Sequence, residues 1–98
     1  IINNNGGGIF SFLPISNLKI DTFNEFWTTN TNIDLKQVAK LYKCIYYNAL
    51  DLNQLKNHIQ NSFTKDGIKI IEIKTKIKNN IAYHKNLIKD IKYSLSNT

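Results

Sequence analysis

The stretch IKIIEIK, residues 68–74, sets the tightest limit on what this chain can fold into. Side chains alternate across a strand, so Ile68 and Ile70 point to one face and Ile71 and Ile73 to the other. A strand that is apolar on both faces suits a sheet covered by helices on both sides, the setting of parallel α/β folds. The flanking segments supply such helices. Asp34, with Gln37 three residues on, predicts a capped helix over DLKQVAKLYK whose inner stripe is Leu35, Val38, Ala39 and Tyr42. Asp51 with Gln54 repeats the device and opens DLNQLKNHIQNSF, with Leu52, Leu55, Ile59 and Phe63 facing inward. Between them CIYY, Cys44 to Tyr47, is a short β-prone run. The last segment places Ile77, Ile81, His84, Ile88, Ile91 and Leu95 on one helical face, suited to docking on a sheet, where His84 is expected to be structural.

The other end of the chain is less regular. Ile1 and Ile2 look like the end of a strand, and Asn3 to Gly8 like a loop. Gly8 to Leu13 can form one or two helical turns before Pro14. Residues 15–22 are expected to be connector, 23–27 a short helix, and TTNTN a polar turn. The order is strand end, loop, helix, strand, helix, strand, helix, which is the carboxyl-terminal half of an open, mostly parallel α/β sheet with helices on both faces. A chain of 98 residues without methionine, opening on a strand end, is expected to be a piece of a longer polypeptide.

NNNGGG is the part that could carry chemistry. In open α/β sheets ligands sit beyond the carboxyl ends of strands, where loops expose backbone groups and helices begin. Glycine allows positive φ and lets a ligand approach the backbone. A helix start adds unsatisfied N–H groups that suit a phosphate. The asparagine amide oxygen is a hard, neutral donor, and Mg²⁺ takes oxygen ligands, often including substrate phosphates. A tight turn with no ligand, in which Asn5 merely tolerates the left-handed conformation, stays open on these grounds. Neither the P-loop nor the G-x-G-x-x-G pattern is present.

Charge is a weaker guide. The formal net charge is +6, yet all thirteen basic residues are lysine. Bidentate recognition of phosphate or guanine favours arginine, so no nucleic-acid partner is expected. Abundant lysine, isoleucine and asparagine share A/T-rich codons, which points to a compact organelle or an A/T-rich bacterium. Cys44 is alone, so an intrachain disulfide is excluded. No apolar run is long enough for a membrane span, and a soluble protein of the plastid stroma or bacterial cytoplasm is expected.

INNNGGGIFSFLP resembles the closing half of the thiamine diphosphate motif of enzymes whose motif begins with Gly-Asp and ends in Asn-Asn. Within that superfamily, GGGIFSFLP is similar to the 2-succinyl-5-enolpyruvyl-6-hydroxy-3-cyclohexene-1-carboxylate (SEPHCHC) synthases of menaquinone and phylloquinone biosynthesis. The likeness continues through FNEFWT, IDLKQVAKLYKCIYY, IIEIKT and NNIAYHKNL. It implies that residues 1–98 are part of a carboxyl-terminal, pyrophosphate-type thiamine diphosphate-binding domain, with the pyrimidine-binding and central domains of the same chain missing. It also implies that Asn4 ligates Mg²⁺ through its side chain and Gly6 through its carbonyl. Gly7 and Gly8 would admit the diphosphate, Ile9 and Phe10 would lie beside the cofactor, and Phe10 and Leu13 would wall the substrate pocket. The family's reaction decarboxylates 2-oxoglutarate and adds the resulting carbanion to isochorismate, in a homodimer or dimer of dimers. No catalytic residue of the family falls in this piece, so the isolated chain is expected to be inactive. The sequence departs from the family at Thr28 to Asn30 and at Lys76 and Ile77. A different thiamine diphosphate enzyme, such as an acetolactate synthase-like one, and a non-enzymatic basic nucleic-acid-binding module are the alternatives.

Overall fold

The computed structural model describes residues 1–97. In chain order they form β1 (Ile2–Asn3), two 3-10 turns (Ile9–Phe12 and Pro14–Asn17), α1 (Ile20–Trp27), α2 (Leu35–Leu41), β2 (Ile45–Asn48), α3 (Leu52–Ser62), β3 (Lys69–Lys74) and α4 (Ile77–Ser96). These fall into two compact units, the first made of Ile1–Asn5 and Thr31–Lys74, the second of Gly6–Asn30 and the residues from Thr75 on.

The first unit holds the sheet. Its strand order is β1-β3-β2 and both pairings are parallel, so the isoleucine-rich strand is central, as an α/β chain requires. Ile2 lies opposite Ile73 and Asn3 opposite Lys74, while Tyr46 lies opposite Ile70 and Asn48 opposite Glu72. Both helix starts are capped as the sequence predicts. Asp34 Oδ1 accepts from the N–H groups of Lys36 (3.0 Å) and Gln37 (3.2 Å). Asp51 Oδ1 accepts from Gln54 N–H (2.8 Å), and the Gln54 side chain accepts in return from Leu50 N–H (3.1 Å). Lys43, in the left-handed region at φ 54, closes α2, and the Cys44 N–H reaches back to the Ala39 carbonyl at 2.8 Å.

The helix faces need correcting. Tyr42 is exposed rather than part of the α2 stripe, and Leu52 and Ile59 of α3 and Phe63 at its end are exposed. What α3 turns inward is Leu55 and His58, both half-buried, because the His58 ring stacks on Tyr47 of β2 at 4.8 Å. That ring contact fixes the helix rotation.

In the second unit the expected connector at 15–22 is instead a 3-10 turn opened by Pro14, followed by a helix that begins at Ile20, three residues early. Proline presets φ for the first, and Asp21 in the first turn of α1 favours the second. Phe23 is the buried anchor of α1. Phe10 meets Trp27 edge-on at 5.4 Å, and Phe12 meets His84 in the same way at 5.4 Å. This gives His84 a packing role. Of the long stripe on α4 only Ile77 and Ile81 are half-buried; His84, Ile88, Ile91 and Leu95 are exposed. Within its own unit α4 packs on the first 3-10 turn. No helix among the described residues is long and apolar enough to cross a membrane.

Candidate metal centre and cofactor loop

The loop begins where β1 stops, and the sheet register decides what lies beneath it. Asn3 pairs with Lys74 and Tyr46 with Ile70, so Asn3 and Tyr46 share with Glu72 one face of the sheet, from the two strands flanking β3. Glu72 is only 1% exposed. A buried carboxylate needs partners, and it has them. The Asn3 side-chain amide donates to Oε1 at 2.6 Å, and the Tyr46 hydroxyl donates to Oε2. Burial alone would raise the Glu72 pKa. The hydrogen bonds from Tyr46 and Asn3 and the charge of Lys74 outweigh it and hold the carboxyl below its ordinary range. On the other side of the bond, burial and the Glu72 carboxylate push the Tyr46 hydroxyl up to about 12.

From Asn3 the order passes into the turn. Asn3 Oδ1 accepts from the Asn5 N–H at 2.9 Å. Asn5 is left-handed at φ 62 and is held by Asn32 through two bonds: Asn32 N–H to Asn5 Oδ1 at 2.9 Å, and Asn5 Nδ2 to Asn32 Oδ1 at 3.1 Å. The Asn5 carbonyl accepts from Thr31 N–H at 2.9 Å. Asn5 is therefore a structural strut of the turn, in the left-handed conformation that asparagine tolerates.

The glycines are explained unequally. Gly6 and Gly7 continue the left-handed run at φ 76 and φ 60. A Cβ on Gly7 would lie 2.3 Å from the backbone nitrogen of Thr29, and one on Gly8 would lie 2.8 Å from the Ile77 side chain. The Gly7 contact is with rigid backbone, so packing within this chain already requires glycine at 7, whereas at 8 the Ile77 side chain could give way. Ile9 and Leu13 are exposed, and Phe10 is partly covered by Trp27.

The donor chemistry fits a hard cation. Asn4 brings an amide oxygen and Gly6 a peptide carbonyl, both suited to Mg²⁺. Among the described residues no group of three or more His, Cys, Asp or Glu could hold a metal ion. Sequence reasoning missed Glu72, Tyr46 and Asn32. A signal for the first was present: a glutamate inside a strand apolar on both faces must be buried, and a buried glutamate must be hydrogen-bonded.

No family model matches the chain. Individual proteins do. It is 43% identical over 84 residues to the SEPHCHC synthase of Oceanobacillus iheyensis, covering 86% of this chain and 14% of that protein. It is 37% identical over 95 residues to the synthase of Listeria innocua, covering 97% of this chain and 16% of the relative. For the synthase of Rippkaea orientalis the identity is 35% over 91 residues, 93% of this chain and 15% of the relative. The chain thus spans about one-seventh of the length of the relatives it matches. The Listeria innocua match, at 97% coverage, leaves no room for the segment from Asn4 to Leu13 to fall outside it. Similarity along some nine-tenths of its length relates this chain to one segment of the 2-succinyl-5-enolpyruvyl-6-hydroxy-3-cyclohexene-1-carboxylate synthases.

Proposed function

We propose that the chain is part of a thiamine diphosphate-dependent synthase that decarboxylates 2-oxoglutarate and joins the remaining carbon skeleton to isochorismate. The observation that carries this reading is the similarity to SEPHCHC synthases across nearly the whole chain, the loop from Asn4 on included. The parallel sheet supports it, because the loop leaves the carboxyl end of β1, where open α/β sheets bind ligands.

In this reading residues 1–98 are the carboxyl-terminal part of the cofactor's pyrophosphate-binding domain, and the other domains complete the enzyme as a dimer. Asn4 Oδ1 and the Gly6 carbonyl hold Mg²⁺, which tethers the diphosphate. Backbone groups at Gly7 and Gly8 face the diphosphate from the side their packing leaves them. Ile9 and Phe10 lie against the cofactor, and Phe10 and Leu13 border the substrate; the exposure of Ile9 and Leu13 within their own unit is consistent with such a role. When bound, the cofactor supplies the nucleophilic carbon and the electron sink for loss of CO₂. The residues of this chain bind and orient it, and no acid or base of the reaction is assigned to them. The isolated chain is inactive in this reading. Its lysine-, isoleucine- and asparagine-rich composition fits a plastid or an A/T-rich bacterium.

The test is substrate choice in the full-length protein carrying this segment. Release of CO₂ from 2-oxoglutarate that depends on thiamine diphosphate, with isochorismate consumed, is the expected result. Turnover of pyruvate in preference to 2-oxoglutarate would assign the chain to another branch of thiamine diphosphate enzymes.

A further inference from the structure

The most heavily buried charged group among the described residues has no part in the function just described. Glu72 sits on the central strand with one oxygen on Asn3 and the other on Tyr46. Asn3 is in turn bonded through its own oxygen to the N–H of Asn5. Each primary amide here is used from both ends: the nitrogen of Asn3 toward the sheet and its oxygen toward the turn. The amide cannot rotate by half a turn without facing two donors toward each other, since Asn5 offers an N–H and Glu72 offers only acceptors. The buried carboxylate therefore dictates which way Asn3 points, and Asn3 dictates where the peptide between Asn4 and Asn5 lies.

We propose that Glu72 is a positioning residue for the loop: acting through Asn3, it fixes the Asn4–Asn5 peptide and so the placing of the Asn4 donor. The inference rests on the metal reading of Asn4 given above. It differs from a purely structural role in one respect. Tyr46 also binds Glu72 but does not touch the turn, so losing Tyr46 and losing Asn3 have different consequences.

Five variants of the full-length protein test it, Asn4→Ala among them, read by calorimetric titration of Mg²⁺ in the presence of thiamine diphosphate and by hydrogen exchange at the Asn5 amide. Glu72→Leu removes the acceptor, and Mg²⁺ affinity falls about tenfold, the scale seen when partners of metal ligands are lost. Protection of the Asn5 amide falls with it. Glu72→Gln restores both, because its Oε1 accepts from Asn3 while the Tyr46 hydroxyl, able to accept as well as donate, takes the Nε2 hydrogen. Asn3→Ala reproduces the loss and serves as the deciding variant if Glu72→Leu does not fold. Tyr46→Phe lowers the melting temperature and leaves Mg²⁺ affinity unchanged. If Asn3→Ala binds Mg²⁺ as wild type does while Asn4→Ala does not, the positioning role is overturned and the metal site stands. If all variants weaken Mg²⁺ binding in proportion to lost stability, Tyr46→Phe included, the role is structural and the proposal fails. If Asn4→Ala itself binds Mg²⁺ normally, the metal reading falls and this inference with it.

Discussion

The two units of this chain are held together by different physics. The first relies on direction: a parallel ladder, two side-chain caps, and a buried carboxylate whose partners come from both flanking strands. The second relies on shape: edge-on aromatic pairs, one buried phenylalanine, and glycines that leave room for neighbouring atoms. Hydrogen-bond geometry fixes angles tightly, whereas apolar contact tolerates sliding and repacking. The turn bearing Asn4, proposed above as a metal ligand, is anchored in the first kind of structure. The apolar residues proposed to lie along the cofactor belong to the second.

Substituting glycines breaks this comparison most sharply. Gly7 and Gly67 are both left-handed, at φ 60 and φ 89, but a Cβ at Gly67 meets nothing within 4 Å. Gly67→Ala should cost only the backbone term, about 1–2 kcal/mol. Gly7→Ala adds overlap with the Thr29 backbone and should cost clearly more than about 2 kcal/mol. Thermal unfolding of the two variants checks this; equal losses would mean that Thr29 moves away readily and that shape matters less in the second unit than argued.

A smaller effect separates the units by pH. Glu72 has a lowered pKa in the fold, so its contribution is present above the ordinary carboxylate value of about 4.3 and fades as pH falls through that value toward the lower folded one. Tyr46 is raised from 10.0 to about 12, so its contribution is intact below 10 and fades as pH climbs toward 12. The first unit should loosen at both extremes. NMR signals from β3 should report this before those from α1, since Glu72 is the buried charged side chain among the described residues. Simultaneous loss in both units would show that the Glu72 network does not set the limit.

What the sequence made legible follows the same division. Asp34 and Asp51 announce their helices because a cap is a local interaction, and IKIIEIK announces a central strand because its isoleucines fall on both faces, although Ile68 lies just before β3 and is exposed. The inward faces were legible in part: Leu35, Val38 and Ala39 of α2 and Leu55 of α3 turn inward, whereas Tyr42, Leu52, Ile59 and Phe63 satisfy a helical period without saying what they meet. The actual rotation of α3 depends on Tyr47 and His58 finding each other across the fold. In the loop, the positive φ of Gly7 could be anticipated from its type, but its close approach to Thr29 could not. The link from Asn3 to Glu72 joins residues 69 apart, and only the strand register reveals it.

The central claim is that Asn4 and Gly6 grip the cation that tethers the cofactor's diphosphate. The direct measurement is the dissociation constant of thiamine diphosphate with Mg²⁺ for the full-length protein and its Asn4→Ala variant, at matched folded fractions. The account predicts binding weaker by at least about tenfold in the variant. Equal affinity would contradict it and reduce NNNGGG to a turn held in place by Asn3, Asn5 and the packing of Gly7 and Gly8.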